Sequence, residues 1–319
     1  MTAFTPSRPL QDNGTGDPRA LGLKVLGREA QGEFVRAAVL RDHQMRRGFT
    51  GATEAQFPVI GRAEAEYHTP GAEIDGNAIK TGERVIRLED LLVAPVFIAN
   101  IDDVLRHFEA RSPYARSIGL RLARSYDKDV GRTMALAARE AATIPGDYEG
   151  GSVLVDANYG TDGDALADGI FDAGVVLDQK DVPRGRDDVK AFLNPLRYSL
   201  IVRADNARAI NSDYNMGVNN GSFAEGRVVL INGIPLVRSN NLPNANDTAN
   251  ASINAKRRAD YSKTVALIAH RDAVGTLDGI PTQVEDEYSA RHQGTLVLGK
   301  YLAGHGVLMP EGVVELQTT

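Results

Sequence analysis

The strongest constraint in the sequence is a long stretch of helix-compatible residues near its centre. Over residues 112–142, apolar side chains recur at mostly four-residue spacing, the period of one helix face: Tyr114, Ile118, Leu122, Tyr126, Val130, Met134 and Ala138. Ser112 and Pro113 suit the start of a helix, and Pro145-Gly146 suits its end. A helix of about 30 residues is roughly 45 Å long. With one narrow apolar stripe, such a rod is expected to support a flat structure rather than to form the heart of a compact globule.

Composition limits the protein classes to consider. The chain has 319 residues, 42% apolar and 24% charged, which predicts one large or two ordinary globular domains. It has no cysteine, so disulfides, zinc–thiolate sites and cysteine nucleophiles are excluded. The net charge of −6 disfavours a general nucleic-acid binder. No apolar run approaches the roughly 18 residues of a membrane span, and no signal peptide is visible, so we expect a soluble protein made in a cytoplasm.

Two segments before the long helix differ from ordinary core sequence. Residues 1–20 are rich in proline and glycine and predict a loose arm. Gln56–Ile60 and Arg84–Leu88 predict two strands, and turn-forming residues between them indicate a long β-hairpin, here called the finger. A two-stranded ribbon is only marginally stable in water. The finger should therefore lie against the body of its own chain or against a neighbouring subunit.

The second half of the chain predicts alternating helices and strands. A helix is expected over residues 162–181, and an Asn-Gly turn predicts a hairpin over residues 226–237. His305, between two glycines, is expected in a tight turn. The other expected elements are the strand Val189–Leu193, the helix Pro195–Ala204, and the strands Val265–Ile268, Gly294–Leu298, Val307–Leu308 and Val313–Leu316.

No catalytic template fits. Residues 294–301 approach a phosphate-binding loop, but Tyr301 stands where Ser or Thr must reach magnesium, so a core strand is the better interpretation. None of the six histidines forms a metal-binding pair, and structural roles are favoured for each. We therefore predict no enzyme, no cofactor and no metal site. The arginines of residues 111–139 are expected in ion pairs with protein carboxylates rather than on phosphate.

A loose arm and a charged finger serve little purpose in a monomer. Both become useful if neighbouring copies bury them, since the ordering entropy is then met during assembly. The pattern favours a self-assembling lattice protein.

The chain also resembles a known family in an ordered series of motifs. These are Leu23–Gly27 with Phe34 and Arg36, Ala55–Arg62 followed by Tyr67 and Pro70-Gly71, Leu88–Leu92, Ile101–Tyr114, Ala269–Thr276 and Lys300–Gly306. Together they resemble the major capsid proteins of short-tailed, T7-like bacteriophages, which have the HK97-type capsid fold. The likeness runs from about residue 21 to 316 and is weakest over 145–260.

The resemblance implies an α+β, HK97-like fold divided into four parts. Residues 1–45 would form the N-terminal arm and 46–95 the extended loop. Residues 96–145 with 262–319 would form the peripheral domain, which holds the long spine helix. Residues 146–261 would form an axial α/β domain at the centre of pentamers and hexamers.

The same resemblance implies partners and contacts. The chain would build an icosahedral virion shell from pentamers and hexamers, assembling on a scaffolding protein, with a portal at one vertex and double-stranded DNA held non-specifically inside. Two alternatives remain open: a non-viral compartment protein of the same fold, and an α/β enzyme with an unrecognised site. The expected subunit-interface residues are Phe57, Arg62, Glu64, Glu66, Tyr67, Glu83, Arg84, Arg87, Asn219, Asn220, Asn240 and Asn241.

Overall fold

The structure, a computed structural model, has mixed helices and sheets. It describes residues 29–34, 37–48, 53–65, 67–68, 76–99, 111–185, 187–204, 221–222, 227–228 and 230–319. The predicted loose arm, residues 1–20, lies outside these ranges.

The predicted helices and strands occur in the predicted order, except that the strands expected at Gly294–Leu298 and Val307–Leu308 form one continuous strand, and further strands that were not predicted lie between the predicted elements. The helices are α1 (Arg111–Ala138), α2 (Gly163–Gln179) and α3 (Pro195–Arg203), preceded by a short helical segment at 29–34. The strands are β1 (Met45–Gly48), β2 (Glu54–Ile60), β3 (Thr81–Arg87), β4 (Leu92–Ala99), β5 (Ser152–Val155), β6 (Val189–Leu193), β7 (Gly221–Ser222), β8 (Arg227–Val228), β9 (Leu230–Ile231), β10 (Ile234–Arg238), β11 (Thr264–His270), β12 (Val274–Ser289), β13 (Gly294–Val307) and β14 (Val313–Gln317).

The strands form two main sheets. The first has the order β1-β12-β13-β4 and is built on the long antiparallel hairpin of β12 and β13. The second has the order β5-β14-β11-β6-β10-β9, with α2 and α3 packed against it around a separate hydrophobic core. Among the described strands, β2 and β3 pair with each other and with no other strand, which confirms the predicted finger. β7 and β8 form a further short antiparallel pair.

The long helix α1 confirms the main prediction, with one correction. Ile118, Leu122, Tyr126 and Val130 are all buried on the stripe that the spacing indicated. The C-terminal half, however, is not a rod with one apolar face. Nearly every residue from 130 to 138 is buried, because small side chains there let both sheets and the 240s segment approach the helix closely. This half of α1 is the centre of the larger core.

The second sheet combines strands from both sides of the predicted domain boundary at residue 262. β11 and β14 come from the segment assigned to the peripheral domain. They pair with β6 and β5, which come from the segment assigned to the axial domain. The division into domains stays a prediction, and this shared sheet is the place where the two segments are joined.

Local backbone geometry explains one confirmed and one wrong turn prediction. Asn232 and Gly233 have φ values of 48° and 75°, as the turn between β9 and β10 requires. His305 is not in a turn but inside β13. The glycine beside it, Gly304, has a packing role, because a Cβ there would lie 2.1 Å from the carbonyl oxygen of Arg87 in the finger.

Candidate subunit interface

The finger lies against the end of its own α1. The Arg84 guanidinium pairs with Glu140, and its Nε donates to Thr143 Oγ1 at 2.9 Å. Further out, the hydroxyl of Tyr148 donates to the carbonyl of Ile60 at 2.9 Å. The finger therefore lies against the body of its own chain, which is one of the two surfaces that the sequence analysis expected to support it.

Alternation along the finger gives it two different faces. Ala55 and Ile86 are buried against Leu277, with Phe57 partly buried beside them. On the opposite face, Ile60 is 61% exposed and Val85 is 40% exposed. The outer face of the finger thus carries apolar groups that the described part of the chain does not cover.

In the loop that joins the two finger strands, residues 62–65, 67–68 and 76–80 are also exposed. Ile79 is 47% exposed, and Tyr67 is as exposed as a free side chain. Arg62, at the start of this loop, stacks over the ring of Tyr148 and pairs with Asp181 at 2.9 Å. The loop therefore begins from a fixed point on the body and then presents uncovered side chains.

The structure separates the predicted interface residues into four groups. Phe57 and Asn241 contact their own chain, and Arg62, Arg84 and Arg87 form intrachain ion pairs. The exposed residues are Glu64, Tyr67, Glu83 and Asn240. Glu66, Asn219 and Asn220 lie outside the described residues. The interface role of all twelve stays a prediction.

A buried ionic network anchors the base of the finger, and sequence reasoning missed it. Glu89 follows β3 and accepts two hydrogen bonds from Arg257, one of them at 2.6 Å. Arg257 also lies 3.3 Å from Asp129 on α1. Arg132 donates to Asp129 at 3.0 Å and to Asp247 at 2.7 Å. The network therefore links the finger base, α1 and the segment around residue 250.

The arginines of α1, with Arg139 directly after it, confirm the ion-pair prediction only in part. Arg132 joins the network above, and Arg139 makes a bidentate pair with the fully buried Glu315 of β14. Arg116 lies 3.5 Å from Glu33. Arg121 and Arg124 have no carboxylate within 4 Å among the described residues.

Asp127 holds the N-terminal segment onto α1. Its carboxylate accepts hydrogen bonds from the backbone N–H groups of Val39 and Leu40 and from the side chain of Asn241. Burial raises the pKa of Asp127 to about 6, although these hydrogen bonds favour the ionised form. Nothing in its sequence position distinguishes it from a surface carboxylate of an exposed helix face.

A second polar cluster lies between α1 and the first sheet. Gln44 Nε2 donates to the Tyr126 hydroxyl at 2.5 Å, and Thr276 Oγ1 lies 2.8 Å from His305 Nδ1. Burial raises the pKa of Tyr126 to about 12 and lowers that of His305 to about 3. Within the described ranges, no group of His, Asp or Glu is arranged to hold a metal ion. None of the helices described combines the length and the apolar character of a membrane span.

Comparison with known proteins gives the context for these surfaces. A family model described as "Gp10A-like: Major capsid protein" matches residues 56–317. The major capsid protein of Escherichia phage T7 is 29% identical over 93% of this chain and 91% of its own length. That of Enterobacteria phage T3 is 30% identical over 92% and 90%.

Solved structures point the same way. The capsid structure of cyanophage P-SCSP1u matches with a TM-score of 0.79 and 32% identity, covering 89% of this chain and 88% of that one. The helix-and-sheet arrangement described above is thus the HK97-like capsid fold. The chain belongs to the Gp10A-like major capsid protein family and is the major capsid protein of a bacteriophage virion.

Proposed function

We propose that this capsid protein forms a closed icosahedral shell of pentamers and hexamers in which the finger of each copy contacts a neighbouring copy. The observation that carries the proposal is the two-faced finger. Its inner face packs on its own chain, while its outer face leaves Ile60 and Val85 uncovered. Burying exposed apolar side chains is favourable by about 25 cal/mol per Å². A neighbouring subunit is the surface that a shell supplies.

The proposed role as a shell subunit also implies specific partners. The shell assembles on a scaffolding protein, carries a portal at one vertex and encloses double-stranded DNA without sequence preference. The net charge of −6 supports the last point, because a strongly basic wall would bind the genome electrostatically. The role is structural rather than catalytic. We expect the four predicted segments to act as arm, extended loop, peripheral domain and axial domain.

The test replaces the finger loop and leaves its base intact. Gly61 N donates to the Lys80 carbonyl at 2.8 Å, so the strands are adjacent there, and residues 63–78 can be exchanged for an Asn-Gly turn. The Arg84–Glu140 pair and the contacts of Ile86 remain, so the variant should fold. We expect shell yield, counted by electron microscopy, to fall by about tenfold or more, since several apolar contacts are lost together.

A matched control distinguishes loop loss from a general surface effect. Val155 is 58% exposed on an edge strand outside the finger. Val155→Ala should assemble like the parent, whereas Ile60→Ala combined with Val85→Ala, which removes the outer-face apolar groups, should reduce assembly. Closed shells at parental yield from the loop replacement would contradict the proposal.

A further inference from the structure

A large polar groove runs along α1. Its volume is about 970 Å³, and it lies between the middle of α1 and the segment 251–258. Tyr301 and Ala303 of β13 form part of its wall. We call it the basic groove because six cationic side chains line it: Arg121, Arg124, Lys128, Arg132, Arg257 and Arg258.

Positive charge is in surplus in the basic groove. The carboxylates that line it are Glu89, Asp90 and Asp129, and Asp247 pairs with Arg132 from behind the lining, which leaves two more cations than anions. Glu89 and Asp129 are already engaged by Arg257 and by Arg132. The groove as it stands therefore holds like charges close together, which is unfavourable unless an anionic partner is present.

Two observations show which cationic groups of the basic groove lack an anionic partner or a hydrogen-bond acceptor among the described residues. Arg121, Arg124 and Lys128 follow one another at three- and four-residue spacing, so they share one exposed face of α1. None of them has a carboxylate within 4 Å among the described residues. In the wall, Arg257 is only 5% exposed, yet its Nε has no hydrogen-bond acceptor in the described part of the chain.

A negatively charged surface, opposite in sign to the basic groove, lies on the same chain. Glu285, Asp286 and Glu287 are consecutive and exposed on the outer half of β12. Glu285 pairs with Lys300, and no cation lies within 4 Å of the other two carboxylates among the described residues. β1 pairs only with residues 275–278 of β12, so this part of the strand edge has no described ladder partner. We call residues 285–287 the acidic edge.

The acidic edge cannot reach the basic groove of its own chain. Asp286 and Glu287 are opposite Val297 and Leu296 of β13, while Tyr301 of the same strand lines the groove. Four to five residues along a strand span about 14 to 17 Å. These two carboxylates and Tyr301 belong to one paired sheet, which fixes that distance. Only a second copy can bring them together, and the contact is then head-to-tail, the kind that extends from subunit to subunit.

We propose that the basic groove receives the acidic edge of β12 from a second copy of the chain. The inference rests on the proposed role as a self-assembling shell subunit and names one contact within it. Opposite charges across the contact steer subunits together and fix their register. The contact is also expected to weaken as salt is raised.

Charge reversal tests the contact in the full-length chain. The groove variant is Arg121→Glu with Arg124→Glu, and the edge variant is Asp286→Lys with Glu287→Lys. Each should lower the shell assembly rate by about tenfold or more, because like charges then face each other across the contact. Combined in one chain, the four changes restore attraction, so assembly should return to within about threefold of the parent. Asp168→Lys with Asp172→Lys, on the exposed face of α2, is the matched control and should assemble normally.

The outcomes separate this inference from the proposed function. If the combined variant is no better than the worse of the two reversals, the pairing is refuted even if the parent forms shells. If the groove reversal impairs only DNA retention and the edge reversal has no effect, the groove binds DNA and the inference is wrong. A parent that forms no shells refutes the proposed function itself.

Variants that fail to fold are replaced by neutral ones. Arg121→Gln with Arg124→Gln and Asp286→Asn with Glu287→Asn should each weaken assembly. Their effects should combine to less than the product of the two, because both remove the same contact. Independent effects, or no effect, would overturn the inference.

Discussion

Buried polar side chains around α1 tie distant parts of this chain together. Asp127, Glu89 and His305 each contact segments far away in sequence, and each is shielded from water. Sequence reasoning identified none of these roles, because a carboxylate or an imidazole looks the same on a surface and in a core until the fold is known. The Asn232-Gly233 turn, by contrast, was predictable, since its φ values are a local requirement of those two residues.

The His305 site predicts a specific loss of stability in acid. Its pKa in the fold is about 3, against 6.5 for an unfolded histidine, so the folded state stays neutral while the unfolded chain takes up a proton. Above pH 6.5 the histidine is neutral in both states and does not change the free energy of unfolding. Below pH 6.5 the free energy of unfolding falls by about 1.4 kcal/mol per pH unit.

Urea unfolding of the unassembled chain from pH 7 to pH 4 measures this slope. His305→Gln removes the titrating group. Its free energy of unfolding should therefore fall less steeply with decreasing pH than that of the parent, by about 1.4 kcal/mol per pH unit. Parallel curves for the two proteins would show that His305 does not carry this pH dependence.

The Arg257 network predicts a large difference between two ion pairs. Arg257→Met leaves Glu89 buried without its partner and should lower the free energy of unfolding by about 3–5 kcal/mol. Arg62→Met breaks an ion pair whose side chains are 49% and 71% exposed, and should cost at most about 1 kcal/mol. Thermal and urea unfolding of both variants provide the comparison. Equal losses would mean that the finger base is not held by the buried network.

At the scale of elements, periodicity predicted what is locally regular and missed what depends on long-range packing. The helix was expected over 112–142 and spans Arg111–Ala138, and the strand Val189–Leu193 was placed correctly. The long strands β12 and β13 were not foreseen at full length. β13 contains three internal glycines, which resemble turn residues in sequence, and at Gly304 the glycine serves the close approach of the finger instead.

The buried half of α1 predicts that a charge there prevents folding. Val130 is fully buried, and an uncompensated carboxylate at that depth costs several kcal/mol. Val130→Asp should therefore abolish soluble protein, and Ile118→Asp, at 2% exposure, should do the same. Ser117→Asp, one residue away on the exposed face, is the control and should remain soluble. Soluble, folded Val130→Asp protein by circular dichroism would contradict the assigned helix face.

At the scale of the whole molecule, two surfaces lack a covering partner within the described part of the chain. These are the outer face of the finger and the basic groove. Composition and periodicity favoured a lattice protein, but the capsid family and its fold were recognised from an ordered series of motifs. No short-range pattern could locate the groove, because its walls come from α1, β13 and the segment 251–258.

The most direct measurement is to express the full chain, alone and with a candidate scaffolding protein, and examine it by light scattering and negative-stain electron microscopy. A shell subunit with uncovered finger and groove surfaces should give shells, tubes or capsomer rings in at least one of the two conditions. A uniform monomer or dimer under both conditions would contradict the account.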